Sequence, residues 1–285
     1  MDHIGEFFPD SPIWFRWLGR LAAPLFFYAL AVGFQHTRNR KKYLLRLYLA
    51  NVGMVFFNQI MCMLQRKLDY VAYQPKNHNI FTTLFCAGVL ICIWENRKEK
   101  KKFFTYIGIY IFWQAMVMGL AILAEAFDCV WRGNALLQTV LRTNYIFPLL
   151  GGIWDAEGGV FFIVLGVWLY CAVENKWKLA LRYILFCGAY MFMCQGDILY
   201  WIMSRFSFWG YHKLADVIYF GSSFVGIPLG TSDLSLLTEF YQWMMIGALP
   251  IMLSCNGKRG KSLKWLFYAA YPLQFLVLYG ISYYK

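Results

Sequence analysis

Long apolar runs separated by short basic segments repeat along almost the whole chain. Most runs carry about 18 or more residues nearly free of charge, enough to cross a hydrocarbon core of roughly 30 Å. Lipid offers backbone groups no hydrogen-bonding partner, so each run is predicted to be a helix. The pattern predicts eight full spans, at residues 13–34, 43–64, 80–95, 103–123, 145–173, 179–194, 237–255 and 263–282. The fold class expected is all-α: a polytopic transmembrane helical bundle forming one integral-membrane domain over residues 1–285.

Two stretches break the rhythm. The fifth run, "FPLLGGIWDAEGGVFFIVLG", holds four glycines before its last hydrophobic turn and two carboxylates, Asp155 and Glu157. A helix broken inside a membrane is tolerated where it is buried in protein or lines a wet cavity. The second stretch, residues 195–235, is aromatic and weakly charged. It reads as an outward-facing cap lying on the membrane surface, and loops of that length are commonly functional.

Composition agrees with this reading. Apolar residues make up 60% of the chain and charged ones only 15%, which leaves no room for a soluble module. The net charge of +12 would suit a nucleic-acid partner, but its placement argues for a lipid bilayer instead. Alternate inter-span segments (38–42, 97–102, 176–182 and 258–264) hold sixteen lysines and arginines against seven in the others. Positive-inside logic puts the richer set in the cytoplasm and the C-terminus outside. The eight cysteines form no C-x-x-C and no Cys/His ligand spacing, so neither a disulfide framework nor a metal centre is expected. The acidic start, with no basic n-region, does not read as a cleavable signal peptide.

Few residues are equipped for chemistry. Histidine is the side chain best poised to exchange a proton near neutral pH. His3 follows Asp2, a neighbour able to hold it in place, although a solvated terminus is an equal reading. His36, in "GFQHTRNRKK", sits at the cytoplasmic end of a span and reads alone as interfacial. Arg16 and Arg20 share a helical face by their spacing of four. Arginine within a span is a default functional candidate, yet near a helix end it escapes by snorkelling. Asn51, Asn58, Asn79 and Thr82 read first as interhelical glue. "CNGKRGKS" imitates a phosphate loop but has Cys255 where that motif needs glycine, and it follows no strand.

The run "DHIGEFFPDSPIWFRWLGRLAAPLFFYALAVGFQHTRNRKKYLLRL", with "NIFTTL" and the terminal "LKWLFYAAYPLQFLVLYG", resembles the TraX family. The family's namesake acetylates the N-terminus of conjugative pilin. The family is similar in design to integral-membrane acyltransferases that draw on cytoplasmic acyl-CoA. The Asp-His of that family matches Asp2 and His3, its G-R matches Gly19 and Arg20, and its H-T-R-N-R matches His36 to Arg40. In the wider superfamily a basic residue lies about eleven positions before the histidine, on the same helix. This chain carries only the remnant of that helix, and Gln274 stands where relatives often have histidine.

The resemblance implies a bacterial cytoplasmic-membrane acyltransferase using acetyl-CoA and no metal. His3 and Asp2 would act as the base, with Arg20 stabilising the oxyanion. His36, Arg38, Arg40, Lys41 and Arg46 would receive the phosphates of CoA, an arginine-rich set suited to bidentate contacts. Arg16, Asn58, Asn79 and Asp155 would meet an extracytoplasmic acceptor, whether a pilin-like peptide, a glycan or a lipid. The alternatives are a transporter for an anionic solute, built on the arginines and the glycine-broken helix, and a non-catalytic membrane scaffold.

Overall fold

A computed structural model describes residues 2–8, 10–67, 79–126, 143–154, 156–195, 205, 211–227, 234–255 and 264–283. In chain order the helices are α1 (Asp2–Phe7), α2 (Trp14–Gly19), α3 (Ala22–His36), α4 (Arg40–Lys67), α5 (Ile80–Glu95) and α6 (Lys100–Ala126). They continue as α7 (Thr143–Leu149), α8 (Gly159–Tyr170), α9 (Lys176–Gln195) and α10 (Tyr211–Val225). A 3₁₀ turn (Gln242–Gly247) then leads into α11 (Ala248–Ser254), and α12 (Lys264–Tyr283) closes the described chain. Among the described residues there is no strand.

Five stretches are long and apolar enough to cross a membrane: Trp14–His36, Arg40–Leu64, Lys100–Ala124, Lys176–Cys194 and Trp265–Tyr283. Three shorter apolar helices, Ile80–Glu95, Gly159–Tyr170 and Gln242–Ser254, stand where the hydropathy pattern predicts further full spans. At about 1.5 Å of rise per residue, the 16 residues of α5 reach only about 24 Å. The protein is thus an all-helical membrane protein in which part of the expected bundle is built from short helices.

Two of the predicted spans are divided for local reasons. The first is jointed between α2 and α3 at Arg20 and Leu21, four residues before Pro24. Proline has no N–H to offer the carbonyl four residues back, here that of Arg20, so the ladder lapses at that turn. The fifth is divided into α7 and α8. Pro148 lies within α7, and the intervening segment carries Gly151 and Gly158 at φ of 65° and 81°. A side chain at Gly151 would also sit 2.8 Å from the Phe85 ring. Glycine's freedom in the left-handed region makes this reversal possible.

The chain falls into two compact units, Met1–Gln35 with Gly158–Lys261 and His36–Glu157 with Ser262–Lys285. In the first, helical stripes form the core: Phe27, Leu30, Ala31 and Phe34 of α3, and Leu179, Tyr183, Phe186, Tyr190 and Cys194 of α9. Spacings of three and four place each set on one face. Phe162 of α8 joins them, with its ring centroid 6.0 Å from that of Phe27. The other face of α9 exposes Leu181, Ile184, Leu185 and Phe192, an apolar surface suited to lipid.

The second unit packs α4 against α5, α7 and α12, and α6 against α5 and α7. Its interior is polar where α7 ends. Asn51 donates to the Pro148 carbonyl at 2.6 Å and Tyr48 to that of Leu149 at 2.7 Å. Trp113 donates to the Leu150 carbonyl at 2.9 Å and Gln114 to that of Gly151 at 3.2 Å. Gln114 also accepts the Ile153 N–H at 2.9 Å. Side chains from α4 and α6 therefore satisfy, one after another, the carbonyls that the broken helix leaves open. The glycine-rich break is sustained by side-chain partners from within the protein, one of the two surroundings its sequence allows.

Candidate functional site

The N-terminal cluster is assembled by two close approaches in the first unit. α1 lies on α2, and a Cβ added to Gly19 would fall 2.1 Å from the Asp2 Cβ and 2.5 Å from its Cα. One added to Gly5 would fall 2.9 Å from the Arg16 side chain. The glycines of "DHIG" and "LGR" are thus the contact points that let a six-residue helix lie flush on its neighbour.

That contact sets the charges. Arg20 Nη2 donates to Asp2 Oδ1 at 3.2 Å, and Arg16 Nη1 lies 3.9 Å from the same oxygen. Asp2 therefore serves the two arginines. The His3 ring takes a different carboxylate: its Nδ1 lies 3.5 Å from Glu6 Oε2, one helical turn on. A carboxylate only accepts, so Nδ1 carries the hydrogen, and the neutral ring's lone pair falls on Nε2. His3 and Glu6 are both largely buried, with side chains 14% and 15% exposed.

Arg20 has further partners from much later in the chain. Its Nη1 donates to Gln242 Oε1 at 2.9 Å, and its Cζ stands 5.0 Å from the centre of the Tyr241 ring. The buried Nε of Arg20 has no hydrogen-bond partner among the described residues. The cluster thus joins an imidazole–carboxylate pair to a guanidinium whose buried Nε–H has no partner among the described residues. Chemically it is suited to moving a proton and to stabilising a developing negative charge beside it.

The other candidates lie in the second unit or at its start. His36, Arg38, Lys41 and Lys42 are exposed. Asn39 caps α4 by accepting the Lys42 N–H at 2.9 Å, the usual reach of such a cap. Arg40 is committed elsewhere: it donates to both Glu95 oxygens, at 2.9 and 3.4 Å, and to the Thr37 carbonyl. Arg46 lies 5.7 Å from the centre of the Tyr43 ring, its buried Nε without a hydrogen-bond partner among the described residues. Asn79 donates to Asn51 at 2.7 Å, and Thr82 donates to the same Asn51 oxygen at 2.7 Å. Asn58 is buried in α4. Asp155 lies outside the described residues.

Sequence reasoning missed Glu6, Tyr241, Gln242 and the Tyr271–Glu157 bond of 3.0 Å. Glu6 carried a usable signal, three positions after His3 on a helix. Nothing local marked Gln242, which reaches Arg20 across 222 positions.

The family model described as TraX protein matches residues 1–192 of this chain. That is well over half of its length, and the chain belongs to the TraX family. No curated protein and no solved structure matches it.

Proposed function

We propose that this TraX-family membrane protein is an acyltransferase that moves an acetyl or other short acyl group from acyl-CoA to an amine or hydroxyl at the outer face of a bacterial cytoplasmic membrane. The observation that carries the reading is the His3–Glu6 pair set beside Asp2 and Arg20 on one helix contact.

His3 Nε2 takes the proton as the acceptor attacks the thioester carbonyl, a step worth roughly 10²–10⁴-fold. The new C–N or C–O bond forms, charge gathers on the former carbonyl oxygen, and Arg20 Nε–H meets it. Collapse breaks the C–S bond, and His3 returns its proton to the departing CoA thiolate. Glu6 holds the ring's tautomer throughout. Arg16, an expected acceptor contact, stands 3.9 Å from Asp2 in this cluster. The phosphates of CoA go to the exposed Arg38, Lys41 and Lys42, with His36 and Arg46 beside them in sequence; Arg40 organises that set through Glu95. The acceptor remains a class: a peptide terminus, a glycan hydroxyl or a lipid headgroup.

The transporter reading takes the arginines and the broken helix for its site. The carbonyls of residues 148–151 receive side-chain donors, and Arg16 and Arg20 both face Asp2.

The test is His3→Ala in proteoliposomes, read as CoA released from acetyl-CoA in the presence of a short peptide with a free α-amine. Release should be lost while insertion and thermal unfolding are retained. Undiminished release removes His3 from the mechanism. Wild-type protein that neither releases CoA nor is thermally stabilised by acetyl-CoA is a scaffold instead.

A further inference from the structure

Arg20 emerges at the joint between α2 and α3, where a long flexible side chain has no direction imposed by its own helix. Three contacts impose one. Asp2 holds Nη2, Gln242 holds Nη1 and the Tyr241 ring lies against the guanidinium face. Two of the three come from a segment beyond residue 192, where the family match ends.

That segment is itself anchored. Trp17 Nε1 donates to the Leu237 carbonyl at 2.8 Å, and Trp243 Nε1 donates to that of Leu236 at 2.8 Å. Buried Tyr183 donates to the Met245 carbonyl at 2.5 Å, fixing the 3₁₀ turn that Gln242 opens. The amide of Gln242 is restrained at both ends, since its Nε2 also lies 3.8 Å from Met245 Sδ. With a contact on each Nη and on the ring face, Nε is the buried nitrogen of Arg20 with no hydrogen-bond partner among the described residues.

We infer that Gln242, assisted by Tyr241, is a positioning residue that aims the Arg20 Nε–H at the oxygen gaining charge during transfer. The inference rests on the acyl-transfer reading. A donor held in place before the reaction costs no reorganisation when charge develops, and this is where electrostatic catalysis gains most. Charge on Arg20 is not enough for that; its direction must be set, and Gln242 sets it through a neutral acceptor oxygen.

The experiment compares wild type, Gln242→Met and Gln242→Glu as full chains in proteoliposomes, measuring CoA release from acetyl-CoA with the free-amine peptide, alongside thermal unfolding. Methionine keeps the length and removes the acceptor; glutamate keeps an acceptor. Gln242→Met should unfold at the wild-type temperature and lose roughly 10²-fold in kcat, the scale of one misdirected oxyanion donor. Its KM for acetyl-CoA should stay within about twofold, because the contact acts in the transition state alone. Gln242→Glu should recover most of the lost kcat. A merely structural role predicts the reverse, with Gln242→Met lowering the unfolding temperature and leaving kcat unchanged. Wild-type turnover retained by Gln242→Met overturns the role of Gln242 and leaves acyl transfer standing. A wild type that releases no CoA overturns acyl transfer, and the role with it.

Discussion

Asp2 and His3 are neighbours in sequence and part company in the structure. On a helix, adjacent side chains diverge, while residues three and four apart meet. The carboxylate meeting the imidazole is accordingly Glu6, and Asp2 is released to bind Arg20 and approach Arg16. Gly19 makes this possible, since any Cβ there collides with the Asp2 backbone, which cannot rotate away. Gly19→Ala should therefore push α1 off α2. We expect a loss of about 1–3 kcal/mol, the usual cost of overpacking, read as a lower unfolding temperature in detergent, together with loss of CoA release. An unfolding temperature unchanged from wild type would show that α1 is not seated on α2 as described.

At the scale of elements, the protein tolerates a broken helix by lending it side-chain partners. Gln114 acts there as a length of backbone would, donating to the Gly151 carbonyl and accepting from the Ile153 N–H. Asn51 is more central: it donates to Pro148 and accepts from both Asn79 and Thr82. The glue reading of these amides, legible in their spacing along apolar runs, describes this arrangement well. Asn51→Leu keeps the volume and removes three side-chain hydrogen bonds. Interhelical hydrogen bonds in membranes contribute about 0.6 kcal/mol on average and at most about 1.7, and buried unsatisfied groups add to that. A loss of about 2–3 kcal/mol should follow, measured by unfolding in mixed micelles. A loss below about 0.5 kcal/mol would mean that water takes over these partners.

For the molecule as a whole, the charge pattern still orders the spans. Several long helices begin with lysine: Lys100 to Lys102 on α6, Lys176 on α9 and Lys264 on α12. The last two are followed by exposed tryptophans, Trp177 and Trp265. Lysine and tryptophan at a helix end are anchors for a membrane–water interface. Positive-inside logic expects these starts at the cytoplasmic face; on that expectation a phosphatase reporter fused after Lys285 should be active, as it is only outside the cytoplasm. A fluorescent protein inserted at residues 97–102 should fluoresce, as it folds inside. An inactive phosphatase fusion with a bright internal insertion would place both loop and terminus in the cytoplasm and require revision of the span count.

The sequence by itself determined the membrane class, the helical character and the family, and it singled out His3 and Arg20 as candidates. These follow from local quantities: apolar run length, residue spacing and a contiguous motif over residues 2–47. It also located the break between α7 and α8, because glycine and proline act on their own backbone. Tertiary structure alone decided which carboxylate meets His3, that Arg40 is taken by Glu95, and that Gln242 and Tyr241 contact Arg20. Pairings between segments far apart depend on packing, and no single stretch of chain encodes where a side chain from another will arrive.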